Sequence, residues 1–395
     1  DPELSSEFSQ KKFDDKNYYT TSDSYLKIPT WYGVSLVGGI ETSSGVFLNP
    51  QNFQPQNGLA YLGLEVNLLE NLVINPRRAV LKQAQENILL SEAEQELQAI
   101  EVLYGAAEAY LLWYIAVQKL ILFEDALENI SIRNEGIKTL IENGDRAGID
   151  SIEAGINFDS RKIQLYEAQI DVIKTRLQLS NFLWDDSLNP LEVQENAQPD
   201  ALVIEDLEQL FIERGWTLEQ HPKVRILQQK RQIQEIEVRL KRNQLLPTLD
   251  LKYNLVRERT DFPNLATRDF TVGAGFSMPL FLRKERGALR AANLKLQEIG
   301  YSAQAIGLEI SNQIIAQRNL IDNLKAQRAD FEKLIGKTQQ MLAAEEELFQ
   351  IGESSIFMIN QRENALIDRS QKALDLEFKF LKSYFELGKV SGFLF

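Results

Sequence analysis

Residues 248–278, TLDLKYNLVRERTDFPNLATRDFTVGAGFSM, decide the fold of this chain. Two runs of alternating apolar and polar side chains lie on either side of a loop rich in charged residues. In the first run Leu249 and Leu251 fall on one face, and Asp250 and Lys252 fall on the other. A period of two is typical of β-strands. Strands with one apolar and one polar face are what a membrane β-barrel with a wet interior requires.

The chain contains this arrangement twice. Residues 29–69 and 247–280 each indicate a pair of strands, and each pair precedes a very long helical stretch, a glycine turn and a second helix. Gly144 and Gly352 mark the two turns. The sequence therefore predicts an α+β membrane protein with an internal duplication and four strands in each protomer. The predicted strands are residues 30–37, 61–69, 248–256 and 270–280.

Proline positions define the predicted helices. No proline lies between Pro76 and Pro190 or after Pro279, and proline is the residue that most strongly disrupts a helix interior. The proline-free stretches are rich in Ala, Leu, Glu, Gln, Lys and Arg, which favour helix. The predicted helices are residues 74–142, 149–184, 222–245, 284–350 and 355–388.

The duplication also predicts the domain organisation. A first repeat covers residues 1–184, an equatorial segment covers 185–221, and a second repeat covers 222–395. By symmetry residues 1–28 should form a helix that mirrors 222–246. Their content of Ser, Asp, Tyr and Lys fits a helix less well.

Composition excludes several classes of function. The 395 residues carry a formal net charge of −14, no cysteine and one histidine, His221. The negative charge argues against nucleic acid as a partner, and the residue counts argue against Cys/His metal sites and Ser–His or Cys–His catalysis. We therefore expect no enzyme activity, metal or cofactor. Because no apolar run approaches the ~18 residues of a membrane helix, any membrane insertion must use a closed barrel.

Four strands are too few to close a barrel, because the smallest single-chain barrels have eight. The predicted strand edges would stay open unless strands from several chains close one barrel in a cyclic oligomer. The alternative from the long helices alone is a soluble periplasmic coiled-coil scaffold protein. Alternating strands at equivalent places in both halves argue against that alternative.

The sequence resembles the TolC-type outer-membrane efflux proteins. The resemblance covers nearly the whole chain. Besides the duplication and the His-Pro start of the helix at 222, four segments carry it: LLPTLDLKYNL (245–255), VGAGFSMPLFLRKERGALRAA (272–292), ENGDRAGIDSIEAG (142–155) and QIGESSIFMINQRENALI (350–367).

The resemblance implies a homotrimer whose twelve-stranded β-barrel lies in the outer membrane and continues into a twelve-helix α-barrel in the periplasm. Its expected function is that of the exit channel of a tripartite efflux or type I secretion system. The expected partners are a periplasmic adaptor (membrane fusion) protein, an inner-membrane pump and outer-membrane lipid. Nothing in the residues separates small-molecule export from protein secretion.

The two glycine turns are the expected adaptor-facing tip of the helices. A glycine at the end of a helix also has a purely structural role, as a left-handed cap. The resemblance places candidate adaptor contacts at Gly144, Asp145, Arg146, Gly352, Glu353, Ser354 and Ser355.

The resemblance also implies a periplasmic gate near the tip. Asp150 and Glu153 are the acidic residues placed after the first turn, and Arg362 and Arg146 are the candidate latch partners of Asp150. The second hairpin departs from the family pattern, because it carries Met358 and Gln361 at the equivalent positions. The alternatives are a structural Asp150 that interacts with the helix dipole, or a constriction at Glu363 or in the Glu345–Glu347 run.

A basic and aromatic segment follows the last strand. It contains Phe281, Arg283, Lys284 and Arg286, and such residues suit a membrane–water interface. Residues 76–78, Pro-Arg-Arg, form a weaker counterpart in the first repeat. The alternative interpretation is ordinary surface charge at the start of a helix.

Overall fold

The computed structural model describes residues 2–30, 32–70, 74–143, 147–213, 215, 217–264, 268–278 and 280–393. The chain divides into two compact units, each built from two segments. The first unit contains Asp1–Ser91 and Leu227–Ala303, and the second contains Glu92–Ile226 and Gln304–Phe395. Both halves of the duplicated sequence therefore contribute to each unit.

The first unit is built around a six-stranded antiparallel sheet in which spatial order follows chain order. Short 3₁₀ turns, Pro50–Asn52 and Arg259–Asn264, lie in the loops after the third and fifth strands. The strands are β1 (Glu3–Phe13), β2 (Lys16–Pro29), β3 (Val34–Ser44), β4 (Leu59–Leu69), β5 (Thr248–Glu258) and β6 (Phe270–Ser277).

The sheet has the apolar and polar faces that the sequence predicts. Leu64 on β4 lies opposite Tyr253 on β5, which lies opposite Val272 on β6. Their face is exposed in the protomer, with Leu64 47% accessible. On the other face Glu65 pairs with Lys252 at 3.4 Å.

Residues 1–28 differ from the prediction made by symmetry. They form β1 and β2 instead of a helix, so the sheet has two strands more than the four predicted. Pro29 ends a strand, whereas the repeat predicted that it would begin one. The segment contains four Tyr and Thr residues at 18–21, and such side chains favour an extended backbone. The strand propensity of these residues therefore outweighs the helix that the repeat predicts.

In each half of the chain a very long helix and then a shorter helix follow the strands. In chain order they are α1 (Pro76–Glu142), α2 (Gly148–Ser180), α3 (Ile204–Glu208), α4 (Pro222–Asn243), α5 (Arg283–Gln350) and α6 (Ile356–Ser391). A π-helical turn, Gln209–Glu213, continues α3, and a 3₁₀ turn, Leu218–Gln220, precedes α4.

A small core holds the helical part of the first unit together. Ile74 and Ala79 pack against Ile236 and Leu240 of α4. Asn243 donates a hydrogen bond of 2.7 Å from Nδ2 to the carbonyl oxygen of Ile74. Because this bond satisfies a buried side-chain amide, it fixes the end of α4 beside the start of α1.

The second unit has the larger core. Its most buried side chains include Leu111 of α1, Ile321 of α5 and Tyr384 of α6. Leu207 and Phe211 join them from the equatorial segment. The apolar side of residues 204–213 therefore covers the long helices.

Among the described helices, α1 is the one whose length and composition would allow a membrane crossing, and 39% of that apolar stretch is buried. Ile100, Tyr104 and Leu111 of α1 lie in the core of the second unit. Packing inside the protomer thus accounts for one part of the apolar side chains of α1, whereas others, such as Val102 and Ile132, are exposed.

His221 joins the start of α4 to the end of α6. The backbone N–H of Lys223 donates to Nδ1 of the ring at 3.1 Å, and Nε2 lies 3.2 Å from the carbonyl oxygen of Val390. Because Nδ1 accepts a hydrogen bond, Nε2 carries the ring proton and donates a hydrogen bond to the carbonyl oxygen of Val390. Gly392 follows with φ +82°, and a Cβ at that position would lie 2.8 Å from Cδ of Pro222. The single histidine therefore has a structural role.

Candidate functional site: the helical tip

The two glycine-turn hairpins come together in the second unit. Ile137 of α1, Ala154 of α2 and Ile356 of α6 form one buried cluster, with Ile141 and Phe349 packed against it. We call this end of the helices the tip. Apolar packing thus brings together helix ends that are far apart in sequence.

The second turn has the predicted left-handed cap. Gly352 has φ +83°, and the N–H of Glu353 donates to the carbonyl oxygen of Leu348 at 2.9 Å. Ser355 then begins α6 as an N-cap, because its Oγ accepts a hydrogen bond of 3.4 Å from the N–H of Met358. In the first turn, Gly144, Asp145 and Arg146 lie outside the described residues.

The candidate gate residues do not all lie together. Asp150 and Glu153 are half-buried in the first turns of α2. Within the described protomer, Arg362 binds Glu345, with Nε 3.4 Å from Oε2. Oγ of Ser354 donates to the other oxygen of Glu345 at 2.5 Å. Arg362 therefore ties α6 to α5 and to the second turn.

A buried charge network lies just above the tip. Arg133 of α1 donates to Glu363 of α6 at 2.7 Å and to Glu346 of α5 at 3.1 Å. Arg161 of α2 donates to Asn364 of α6. Glu363 is 6% exposed and Arg161 is 5% exposed. Side chains from four helices thus meet around one buried carboxylate.

Burial has an electrostatic consequence for this network. Desolvation lowers the pKa of Arg161, and the negative charge of Glu363 opposes that effect. Glu363 and the Glu345–Glu347 run were alternatives from the sequence, but Arg133 and Arg161 were missed. Both arginines lie inside long helices, where the local pattern does not distinguish a buried arginine from a surface one.

The predicted membrane-interface segment is exposed in the first unit. Phe281, Arg283, Lys284 and Arg286 are all accessible to solvent. The guanidinium of Arg283 lies 5.4 Å from the centre of the Phe281 ring. Basic and aromatic groups are therefore available together where β6 leads into α5.

In the described part of the protomer, one face of α2 is apolar and largely exposed. Residues spaced three and four apart along it are between 47% and 70% exposed: Ile149, Ile152, Ile156, Ile163, Tyr166, Ile170, Ile173 and Leu177. Ala154, Arg161 and Ala168, spaced by seven, are buried instead. Such spacing is typical of a helix that packs in a coiled coil on more than one side.

Comparison with known protein families supports the resemblance. Residues 216–392 match the sequence model of the outer membrane efflux protein family. No curated protein sequence matches the chain.

Solved structures share the fold over nearly the whole chain. The outer membrane protein VceC of Vibrio cholerae has a TM-score of 0.71 at 14% identity, covering 100% of this chain and 87% of that one. The Campylobacter jejuni CmeC outer membrane channel has a TM-score of 0.67 at 14% identity, and the match covers 99% of this chain and 77% of that one. The open-state MtrE outer membrane channel of Neisseria gonorrhoeae has a TM-score of 0.66 at 12% identity, and the match covers 100% of this chain and 80% of that one. The fold expected for the protomer, strands of an antiparallel sheet joined to long helices, is therefore confirmed.

Proposed function

We propose, from the match of residues 216–392 to the outer membrane efflux protein family, that this chain is one protomer of an outer-membrane exit channel. The channel conducts substrates passively from a periplasmic adaptor and inner-membrane pump to the exterior, and it is not an enzyme. It lies in the outer membrane with a long periplasmic helical part.

The two faces of the sheet carry this proposal. Leu64, Tyr253 and Phe276 belong to a face that is apolar and exposed, whereas Glu65 and Lys252 form an ion pair on the other face. In a soluble protein the apolar face would be covered by a second layer. Lipid on the outside and water on the inside explain both faces at once.

A trimer explains the remaining open surfaces. The sheet of one protomer cannot close on itself as a barrel of eight or more strands. The exposed apolar stripe of α2, exemplified by Ile163 and Ile170, likewise needs a partner helix. A neighbouring copy supplies both a strand edge and a helix face, and a cyclic assembly leaves neither open.

The tip is the proposed gate and docking surface. Asp150 and Glu153, repeated in each protomer, would place acidic side chains around one constriction, and a field of that sign favours cations. Arg362 would hold the second hairpin through Glu345. The two turns, at Gly144–Arg146 and Gly352–Ser355, would contact the adaptor, because they are the ends of the helical hairpins.

The basic segment after β6 is the proposed membrane rim. Arg283, Lys284 and Arg286 would meet lipid headgroups while Phe281 lies at the interface.

The mass of the complex in detergent tests the assembly. We expect three copies of the chain, and a monodisperse monomer would contradict the proposal. Ile170→Glu puts a charge on the apolar stripe of α2 and should prevent the trimer. The adjacent Gln169→Glu is the matched control and should assemble normally. Outer-membrane fractionation separates this proposal from a soluble scaffold.

A further inference from the structure

The described sheet contains two strands that the proposed barrel does not need. β2 pairs along almost the whole of β3, from Thr20 opposite Ser44 to Pro29 opposite Ser35. In a closed trimer of four strands per protomer, that edge of β3 must instead meet β6 of a neighbouring copy. Either β1 and β2 remain part of the barrel wall, or they separate from the edge of β3 when the barrel closes.

The hairpin of β1 and β2 is poorly suited to a lipid-facing wall. On the face shared with Leu26 and Leu62, β4 and β6 carry only apolar residues, and β5 carries apolar and aromatic residues from Leu249 to Leu255 before Arg257 at its loop end. The hairpin interrupts this face with Ser6, Gln10, Thr20, Ser22 and Ser24. The hydroxyls of Ser6 and Ser24 bond each other at 2.7 Å there, and polar groups are costly in hydrocarbon.

The outer edge of β1 is also poorly suited to receive another strand. It carries Glu3, Glu7 and Lys11, and a bulge interrupts the pairing between Lys11 and Lys12. Charged side chains and bulges are devices that prevent edge-to-edge pairing. By contrast β3 is long and regular, with Leu36 and Ile40 on its apolar face.

The direction of the strands permits an exchange. Neighbours are antiparallel throughout the sheet, so β2 and β6 run in the same direction relative to β3. β6 of a neighbouring copy therefore fits beside β3 with the same polarity as β2. In the described part of the chain, β6 pairs on one side only, with β5. The backbone hydrogen bonds between β3 and β6 of the neighbour would replace those between β2 and β3. The open edge of β6 would then disappear.

The ion pairs on the polar face allow the same exchange. Glu65 of β4 binds Lys27 of β2 and Lys252 of β5. When β2 leaves, Glu65 keeps Lys252. The pair of Lys27 with Glu65 is thus one of the contacts that hold the hairpin in place.

From these observations, and resting on the trimeric channel proposed above, we propose that the β1–β2 hairpin is an edge cap. It covers β3 in the free protomer and is displaced by β6 of a second copy when the barrel closes. The cap prevents β3 from pairing with wrong partners before assembly.

A disulfide lock tests the proposal, and the natural absence of cysteine leaves a clean background. Ser22→Cys with Thr42→Cys joins β2 to β3 at opposite positions. Val66→Cys with Leu251→Cys joins β4 to β5 in the same way and is the matched control. Each protomer is folded in dilute detergent, oxidised and then concentrated, and its mass is measured.

We expect the oxidised β2–β3 lock to reduce the yield of trimer at least tenfold, and dithiothreitol to restore it. The oxidised control should form trimers as the unmodified chain does. A locked protein that forms trimers as well as the control would overturn the proposal, because the hairpin would then be part of the wall. Failure of the unmodified chain to form trimers would instead contradict the proposed function.

A second pair of variants tests the same proposal without a disulfide. Lys27→Gln weakens the hold of the hairpin and should speed trimer formation about two- to fivefold, as expected for loss of one modest ion pair. Lys252→Gln removes the other partner of Glu65 but leaves the hairpin held, so its rate should not rise. Equal rates for the two variants would contradict the edge cap.

Discussion

Arg133 on α1 donates a 2.7 Å hydrogen bond to Glu363 on α6, and this pair joins the two hairpins just above the tip. Glu346 provides a second acceptor for the same guanidinium at 3.1 Å. Because Glu363 is buried, its charge depends on this partner for stabilisation. The pair is therefore a structural connection between the halves of the duplicated sequence.

Glu363→Gln should destabilise the tip. The substitution leaves the partly buried guanidinium of Arg133 with Glu346 as its one charged partner, and breaking a buried pair costs about 3–5 kcal/mol. Hydrogen exchange of the helix ends around Arg133 and Glu363 should become faster. Glu345→Gln is the control, since its pair with Arg362 is longer at 3.4 Å and its loss should have a smaller effect. Equal exchange in both variants would argue against a special role for Glu363.

Arginine on the apolar face of the sheet should block membrane insertion. Leu251→Arg places a charge in lipid, which costs about 2–4 kcal/mol near the bilayer midplane. The same result is expected at Leu64, Tyr253 and Phe276. Asn254→Arg is the control on the neighbouring, polar face and should be tolerated. The measurement is the fraction of protein recovered in the outer membrane, and equal recovery would refute the assignment of the faces.

Neutral side chains at the proposed gate should change ion selectivity. Asp150→Asn combined with Glu153→Gln removes acidic groups from the first turns of α2, so the channel should prefer cations less strongly. Divalent ions should also block it less. Planar-bilayer recordings would give the conductance and the reversal potential in a salt gradient. If both match the unmodified channel, the constriction lies elsewhere, with Glu363 or the Glu345–Glu347 run as the next candidates.

Acid should weaken the connection between α4 and α6 through His221. Burial lowers the pKa of His221 below its usual 6.5, and the nearby Lys223 acts in the same direction. The unfolded chain therefore binds a proton more readily than the folded one. The contribution to stability is complete above the unfolded-state pKa and declines as the pH falls from there through the lower folded-state pKa.

The midpoint of thermal unfolding at pH 7.5 and pH 5 measures this effect. The loss should correspond to about 1–2 kcal/mol, as for a buried hydrogen bond. His221→Gln should be less stable than the unmodified protein at pH 7.5. Its unfolding midpoint should also change less between pH 7.5 and pH 5. An identical pH dependence in both proteins would exclude His221 as the group responsible.

The strands and helices whose pattern is locally complete could be predicted from sequence. The alternation from Leu249 to Leu255 defines β5 and its two faces, because the side-chain period of a strand is set by the backbone. Long proline-free stretches rich in helix formers similarly defined α1 and α5. Gly352 was recognisable as a cap, because the left-handed conformation at the end of a helix favours glycine.

The helix that repeat symmetry predicts for residues 1–28 is not observed, because these residues form β1 and β2. Local propensity and pairing with β3 decided their structure, and pairing between strands depends on partners distant in sequence. The partner of Arg362 within the protomer could not be predicted for a similar reason. Arg362 forms an ion pair with Glu345 on a different helix, and only packing of the helices determines which acid that is.

The sequence by itself determined the period of each element, the duplication and the apolar and polar faces of the sheet, since these follow from backbone geometry and the order of residues. Only the tertiary structure decided that Arg133, Arg161 and Glu363 meet. Their positions on three helices are far apart in the chain, and whether a charged side chain is buried depends on what packs against it.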